Sequence, residues 1–292
     1  MQLGRLGVWT WLDALTATEV VAFARRIESL GYSMLWSPEG FGRDPFSILS
    51  LVAANTTRLQ IATGIANIYA RDPMAMQAAQ LTLGEISGGR FLLGLGVSHG
   101  PIVKDLRGHD YRPPVATMRA YLDAMERSTF SAPRPAEKPP VVLAALRPRM
   151  LELAAERTQG AHPYNVTPEH TARARKILGP SAWLCVEQMA LLEADPARAR
   201  AVARQHLGMY LTLPNYTENL RTLGFGDADF QGGGSDRLMD ALVVWGDEQK
   251  IAARIREHHD AGADHVCVQP FRPDGAAGPD LRLLEALAAS RQ

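Results

Sequence analysis

Residues 59–100, LQIATGIANIYARDPMAMQAAQLTLGEISGGRFLLGLGVSHG, constrain this chain more than any other stretch. Leu59–Ile65 is apolar and rich in β-branching, the pattern of a strand covered on both faces. Asp72-Pro73 predicts a helix start, since Asp caps free amides and Pro is tolerated in the first turn. That helix should stop near Ser87-Gly88-Gly89, and Arg90–Val97 reads as a second buried strand. Strand–helix–strand requires a parallel sheet, and parallel strands bring their carboxyl ends to one face. On that face lie Gly64-Ile65-Ala66-Asn67 and Gly96-Val97-Ser98-His99. Glycines beside polar tips suit a flat ligand lying close to the main chain.

The alternation continues along the chain. Strands are predicted at Leu3–Trp9, Met34–Ser37, Val141–Leu146, Ala161–Tyr164, Ala182–Leu192 and His265–Phe271. Helix starts are marked by the capping box at Thr16 and Glu19, by Asp44-Pro45, by Thr167-Pro168 and by Asp195-Pro196. Eight strands alternating with helices, with no composition break, predict an α/β chain folded as one (β/α)₈ TIM barrel over residues 1–292. A doubly wound open sheet is the rival. Loop insertions are expected at about 98–113 and at 213–235, the latter after the seventh strand, where Pro214, Asn215 and Gly232–Gly234 break the rhythm.

Composition narrows the function. Lys plus Arg (31) balances Asp plus Glu (31), so charge gives no reason to expect nucleic acid or an anionic membrane. No apolar run approaches a membrane span and the start carries no basic-then-apolar pattern, so a cytoplasmic protein acting on a small molecule is expected. Cys185 and Cys267 sit within predicted strands, which predicts buried structural thiols. The strand ends offer few convergent metal ligands, and His258, His259 and His265 cluster at the opposite end, so no metal is expected. Gly94-Leu95-Gly96 lacks dinucleotide-fingerprint spacing, and no Gly-x-Ser-x-Gly elbow occurs.

Several motifs together identify a resemblance. TGI, the RDP helix start and ISGGRFLLGLG within 63–99, the segment LAALRPRMLELAAERTQGAHPYNVTPEHTARAR, and the tail GDEQKIAARIREHHDAGADHVCVQP resemble the bacterial luciferase-like oxidoreductases. The chain looks most like their branch using the deazaflavin coenzyme F420 rather than FMN. The resemblance implies a barrel with an insertion after strand seven, and hydride transfer between deazaflavin C5 and a small organic substrate. It also implies a bulge with a non-prolyl cis peptide after the third strand, matched by Gly64-Ile65, where the bland alternative is an ordinary Gly turn.

Its acidic position after strand two falls on Glu39, with Gly40 where related chains often carry His. The proton-donor position after the strand-four glycines falls on His99, so His99 and Glu39 are the candidate catalytic residues. Gly64, Ile65, Ala66, Asn67, Gly96, Val97 and Ser98 would hold the ring; Ala145, Arg147, Gly160 and His162 would meet the phosphate or acidic tail. Trp9, Tyr164 and Gln269 would wall the substrate pocket. A homodimer is a further implication. Two rival functions remain: an FMN-dependent monooxygenase on the same fold, and a barrel that binds flavin or a metabolite without turnover.

Overall fold

A computed structural model describes residues 1–290. Its strands are β1 (Leu6–Trp9), β2 (Met34–Ser37), β3 (Gln60–Thr63), β4 (Ala66–Asn67), β5 (Phe91–Gly96), β6 (Val141–Leu143), β7 (Gly160–Ala161), β8 (Trp183–Leu192), β9 (Val243–Gly246) and β10 (His265–Phe271). The helices are α1 (Ala17–Ser29), α2 (Pro45–Asn55), α3 (Pro73–Ile86), α4 (Pro114–Arg127), α5 (Pro148–Arg157) and α6 (Pro168–Leu178). They continue as α7 (Pro196–Leu207), α8 (Pro214–Thr222), α9 (Asp227–Phe230), α10 (Asp236–Leu242), α11 (Glu248–Asp260) and α12 (Leu281–Ala289).

Every strand pairing is parallel. β10 joins β1, Leu6 beside Val266, and on its other edge joins β8 from His265 beside Cys185 to Phe271 beside Leu191. The path therefore closes. It makes an eight-stave (β/α)₈ barrel in which β3 and β4 are two pieces of the third stave, and the open sheet is ruled out.

The helix starts follow the local chemistry. Thr16 and Glu19 form the reciprocal capping box, and the side chains of Asp44, Asp72 and Asp195 each accept an amide from the first turn. Thr167 departs from expectation: it occupies the cap position of α6, but its hydroxyl makes no capping bond. Arg26 stands on the outside of α1 with Glu285 of α12, while Val20, Phe23 and Ile27 face inward.

The stretch 213–235, expected as a loop insertion, folds largely into α8 and α9, and α10 follows it. The excursion then returns through an unexpected strand, β9, which pairs with Met189–Leu192 beyond the two residues where β7 meets β8. Met189, Leu191, Leu207, Leu220, Leu238, Val243 and Phe271 form its own apolar core. Likewise, 98–113 contains one π-turn, Ile102–Leu106. Inside the barrel, Trp9, Met34, Trp36, Ala62, Leu92, Val142, Cys185 and Cys267 pack together, and both cysteines are free and buried.

Candidate active site

At the carboxyl ends of the staves lies a cavity of about 1130 Å³, large enough for a cofactor and substrate together. Its lining includes Trp9, Glu39, Gly64, Ile65, Asn67, Gly96, Val97, Ser98, His99, Ala145, Arg147, His162, Tyr164 and Gln269. Two residues expected there do not line it. Ala66 is fully buried, and Gly160 lies within β7, where a side chain would meet the Trp183 carbonyl at 1.9 Å.

The third stave is broken between β3 and β4 by a cis Gly64-Ile65 peptide. The Trp9 Nε1–H donates to the Gly64 carbonyl at 2.8 Å, and the Glu39 amide donates to the Ile65 carbonyl at 3.1 Å. The Glu39 carboxylate is also engaged: Oε2 accepts the Asn67 amide at 2.8 Å and Oε1 accepts from Arg71 at 2.6 Å. Its side chain is only 8% exposed, so Glu39 clamps the broken stave. The glycines of β5 have a different purpose from the one their sequence suggests. A Cβ on Gly94 would lie 2.1 Å from the Thr63 carbonyl oxygen, and one on Gly96 would lie 2.3 Å from Ile65 Cδ1. They make room for the bulge, whose Ile65 side chain occupies the space that reads as ligand space in sequence.

A run of rings also lines the cavity, starting beside the broken stave. Ring contacts run from Trp11 to Trp9 (5.8 Å), Trp9 to Tyr164 (5.1 Å), Tyr164 to Tyr210 (5.4 Å), Tyr210 to Tyr216 (5.2 Å) and Tyr216 to His99 (5.4 Å). The Tyr164 hydroxyl donates to Gln269 Oε1 at 3.1 Å. Burial pushes the Tyr164 and Tyr216 phenols well up and lowers His99, which keeps all three neutral near neutrality. Tyr210 and Tyr216 come from the excursion after β8, so no strand-end reading could have found them. Glu193, at the end of β8, turns aside to Arg198 and the Asp195 amide.

His162 stacks on Trp36 with 4.4 Å between ring centres. Its Nδ1 donates to the Cys185 carbonyl at 2.8 Å, leaving Nε2 as a buried acceptor without a protein partner among the described residues. Burial lowers its pKa to about 4, so it is a neutral ring. Trp36 donates to His265 Nε2 at 3.0 Å, and buried His258 bridges Thr171 and Gln188; both histidines are structural.

The charges on the lining are mostly cationic. Arg107, Arg147 and Arg149 line the cavity without an ion pair among the described residues, whereas of its two carboxylates Glu39 is spent on Arg71 and Asp13 accepts the Arg43 amide. Arg147 occupies the cap position of α5 without a side-chain capping bond, so the free amides of the helix's first turn begin beside it in the chain. No group of three or more His, Cys, Asp or Glu gathers to hold a metal among the described residues, and no described helix is long and apolar enough to cross a membrane.

Comparison with known proteins agrees with this architecture. A Mycobacterium tuberculosis protein named "Putative coenzyme F420-dependent oxidoreductase" is 34% identical over 128 residues, 44% of this chain and 36% of that protein. The 5,10-methylenetetrahydromethanopterin reductase of Methanolobus tindarius is 26% identical over 304 residues, covering 88% of this chain and 91% of its own. Among solved structures, the coenzyme F420 dependent tetrahydromethanopterin reductase of Methanopyrus kandleri superposes with a TM-score of 0.75 at 17% identity, over 97% of each chain. The family model for luciferase-like monooxygenases matches residues 3–265. With a closed barrel, an excursion after the seventh stave and this match over most of its length, the chain belongs to the luciferase-like monooxygenase family.

Proposed function

We propose that the protein is an F420-dependent oxidoreductase that moves a hydride between deazaflavin C5 and a small organic substrate. The observation carrying this reading is a cavity that joins the main chain of the broken third stave to a run of aromatic rings, with three arginines on its lining that make no ion pair among the described residues. Relatives named for F420 point the same way. The residues fit such a group: the orphaned Arg107 Nε and the unpaired Arg147 and Arg149 suit an anionic phosphate and acidic tail, which a bare tricycle would not need.

Gly64, Ile65 and Asn67, with Gly96, Val97 and Ser98, would support the ring. Ala145, Arg147 and Arg149 would hold the phosphate and tail at the start of α5. The bound cofactor supplies two-electron hydride chemistry. The chain's own residues do the rest. Trp9, Trp11, Tyr164, Tyr210 and Tyr216 exclude water and flank the substrate. His99, a neutral imidazole at the cavity wall, can pass a proton to or from it. Glu39, with both oxygens bonded, holds the cofactor wall in shape rather than moving protons.

Adding F420 and FMN separately to the purified protein tests this. F420 binding with FMN binding absent or much weaker supports it. Tight FMN binding without F420 binding would turn the reading to a flavin monooxygenase, and binding of neither would reject both.

A further inference from the structure

The rings of the cavity limit what can lie against them. From Trp11 through Trp9, Tyr164, Tyr210 and Tyr216 to His99, six side chains touch in turn, and none carries a charge near neutrality. Phe271 of β10 also lines the cavity and stacks on His206, 3.8 Å between ring centres; burial lowers His206, so that ring is neutral too. The carboxyl that the three tyrosines would feel is Glu187 of β8. It is 1% exposed, its Oε1 has no partner among the described residues, and burial raises its pKa to about 8, so it too is uncharged. The arginines of the lining stack on none of these rings among the described residues.

Within this neutral surface one polar group is both oriented and open. The Tyr164 hydroxyl donates to Gln269 Oε1 at 3.1 Å, which sets the direction of the amide. Gln269 Nε2 has no hydrogen-bond partner among the described residues, and unlike His206 Nε2 it is not sealed away from the cavity. A donor left open among rings calls for an acceptor. The rings themselves meet at 90° (Trp9 with Trp11) and 80° (Tyr210 with Tyr216), so an aromatic guest finds both faces and edges to pack against. We propose that the substrate is an uncharged molecule with a mostly apolar, ring-bearing body and an accepting oxygen, and that Gln269 Nε2 holds that oxygen.

For its place in the reaction this rests on the hydride transfer proposed above, with His99 keeping the proton. Gln269 moves no proton; it fixes one atom of the substrate against the rings. Tyr164 is a positioning residue, turning the amide so that its N–H, and not its carbonyl, is presented. An ion set among the rings would shed its water and meet no opposite charge. Carboxylates and phosphates are directed instead to Arg107, Arg147 and Arg149 on the same lining.

Three probes of nearly one shape test this by ligand-observed NMR titration of the purified protein: acetophenone, α-methylstyrene and benzoate. Acetophenone carries the accepting oxygen, α-methylstyrene has a methylene in its place, and benzoate adds a charge. Acetophenone should bind about fivefold more tightly than α-methylstyrene. Benzoate, free to bind at the arginines, should not displace acetophenone at equal concentration. Gln269→Leu should erase the preference for acetophenone while α-methylstyrene binds as before. Tyr164→Phe, which frees the amide to turn, should shrink the same preference, an effect on selectivity that a merely structural role would not produce. If Gln269→Leu does not fold, Gln269→Glu must erase the preference in its place. Absence of acetophenone binding, equal binding of the two neutral probes, displacement by benzoate, or a preference untouched by these variants would overturn the inference. F420 binding is titrated on its own, so its failure would show separately.

Discussion

On the side of β3 to β5 the cavity wall is main chain held by a few committed side chains, whereas on the side of β7 to β10 it is rings, hydroxyls and one buried acid. The first side is determined by backbone fit. Gly94 and Gly96 have no space for a Cβ, and Trp9, Glu39 and Arg71 fix the bulge with bonds of 2.6–2.8 Å. The second side leaves polar atoms unmatched at Asn165, Glu187 and His162. A main-chain wall pinned by committed bonds suits a constant partner such as a cofactor. A wall with open hydrogen-bonding capacity suits the chemistry and its variable substrate.

The sharpest way to break this contrast is the pH dependence of folding. Glu187 has a folded pKa of about 8, raised above the ordinary carboxylate value of 4.5. Its contribution to stability is therefore complete below the unfolded value and is lost as pH rises through the folded one. Relative to Glu187→Gln, the wild type should lose on the order of 4 kcal/mol of unfolding free energy between those limits, measured by denaturant titration at several pH values. Parallel pH profiles for the two proteins would remove the unmatched acid from the account.

The main-chain wall is probed by Gly94→Ala. With the Thr63 carbonyl 2.1 Å from the added carbon, backbone must shift, and a loss of about 3 kcal/mol in stability is expected. Calorimetry showing no change would mean that the bulge is free to move. Charge reversal is unnecessary at the cationic lining; Arg147→Ala combined with Arg149→Ala should weaken F420 binding by about tenfold per residue at low salt, and by less at high salt. Equal loss for a tail-free deazaflavin would contradict an anion-binding role. The smallest effect belongs to Trp9→Phe, which deletes the donor to the Gly64 carbonyl and should cost about 1 kcal/mol by thermal unfolding while loosening F420 binding.

Much of this architecture was legible in sequence because parallel βα units announce themselves through buried runs and helix caps. The Asp44, Asp72 and Asp195 caps and the closure through 265–271 follow directly. The positions after each strand also pointed to the part of the cavity lining that the strand ends supply, such as Glu39, Gly64, Gly96, Arg147 and Tyr164. What escaped has identifiable causes. β9 is four residues long and directly follows the apolar end of α10, so nothing local separates strand from helix. Gly94 and Gly96 read as room for a ligand, since only three dimensions show that Ile65 and a carbonyl fill it. Tyr210 and Tyr216 arrive from an excursion without periodicity.

Glu187 did leave a signal. A carboxylate inside a ten-residue buried strand, two positions from Cys185 and hence on the same face, points into the barrel. Sequence could place that acid indoors. It could not show that its neighbour Asn165 leaves the acid without a matched partner.

The most direct test of the central claim is an equilibrium titration of the purified, cofactor-free protein with F420, followed through the fluorescence of the deazaflavin, beside an identical titration with FMN. The account predicts saturable F420 binding that weakens when Arg147 and Arg149 are removed, with FMN bound much more weakly. Saturable FMN binding with no detectable F420 binding would contradict it.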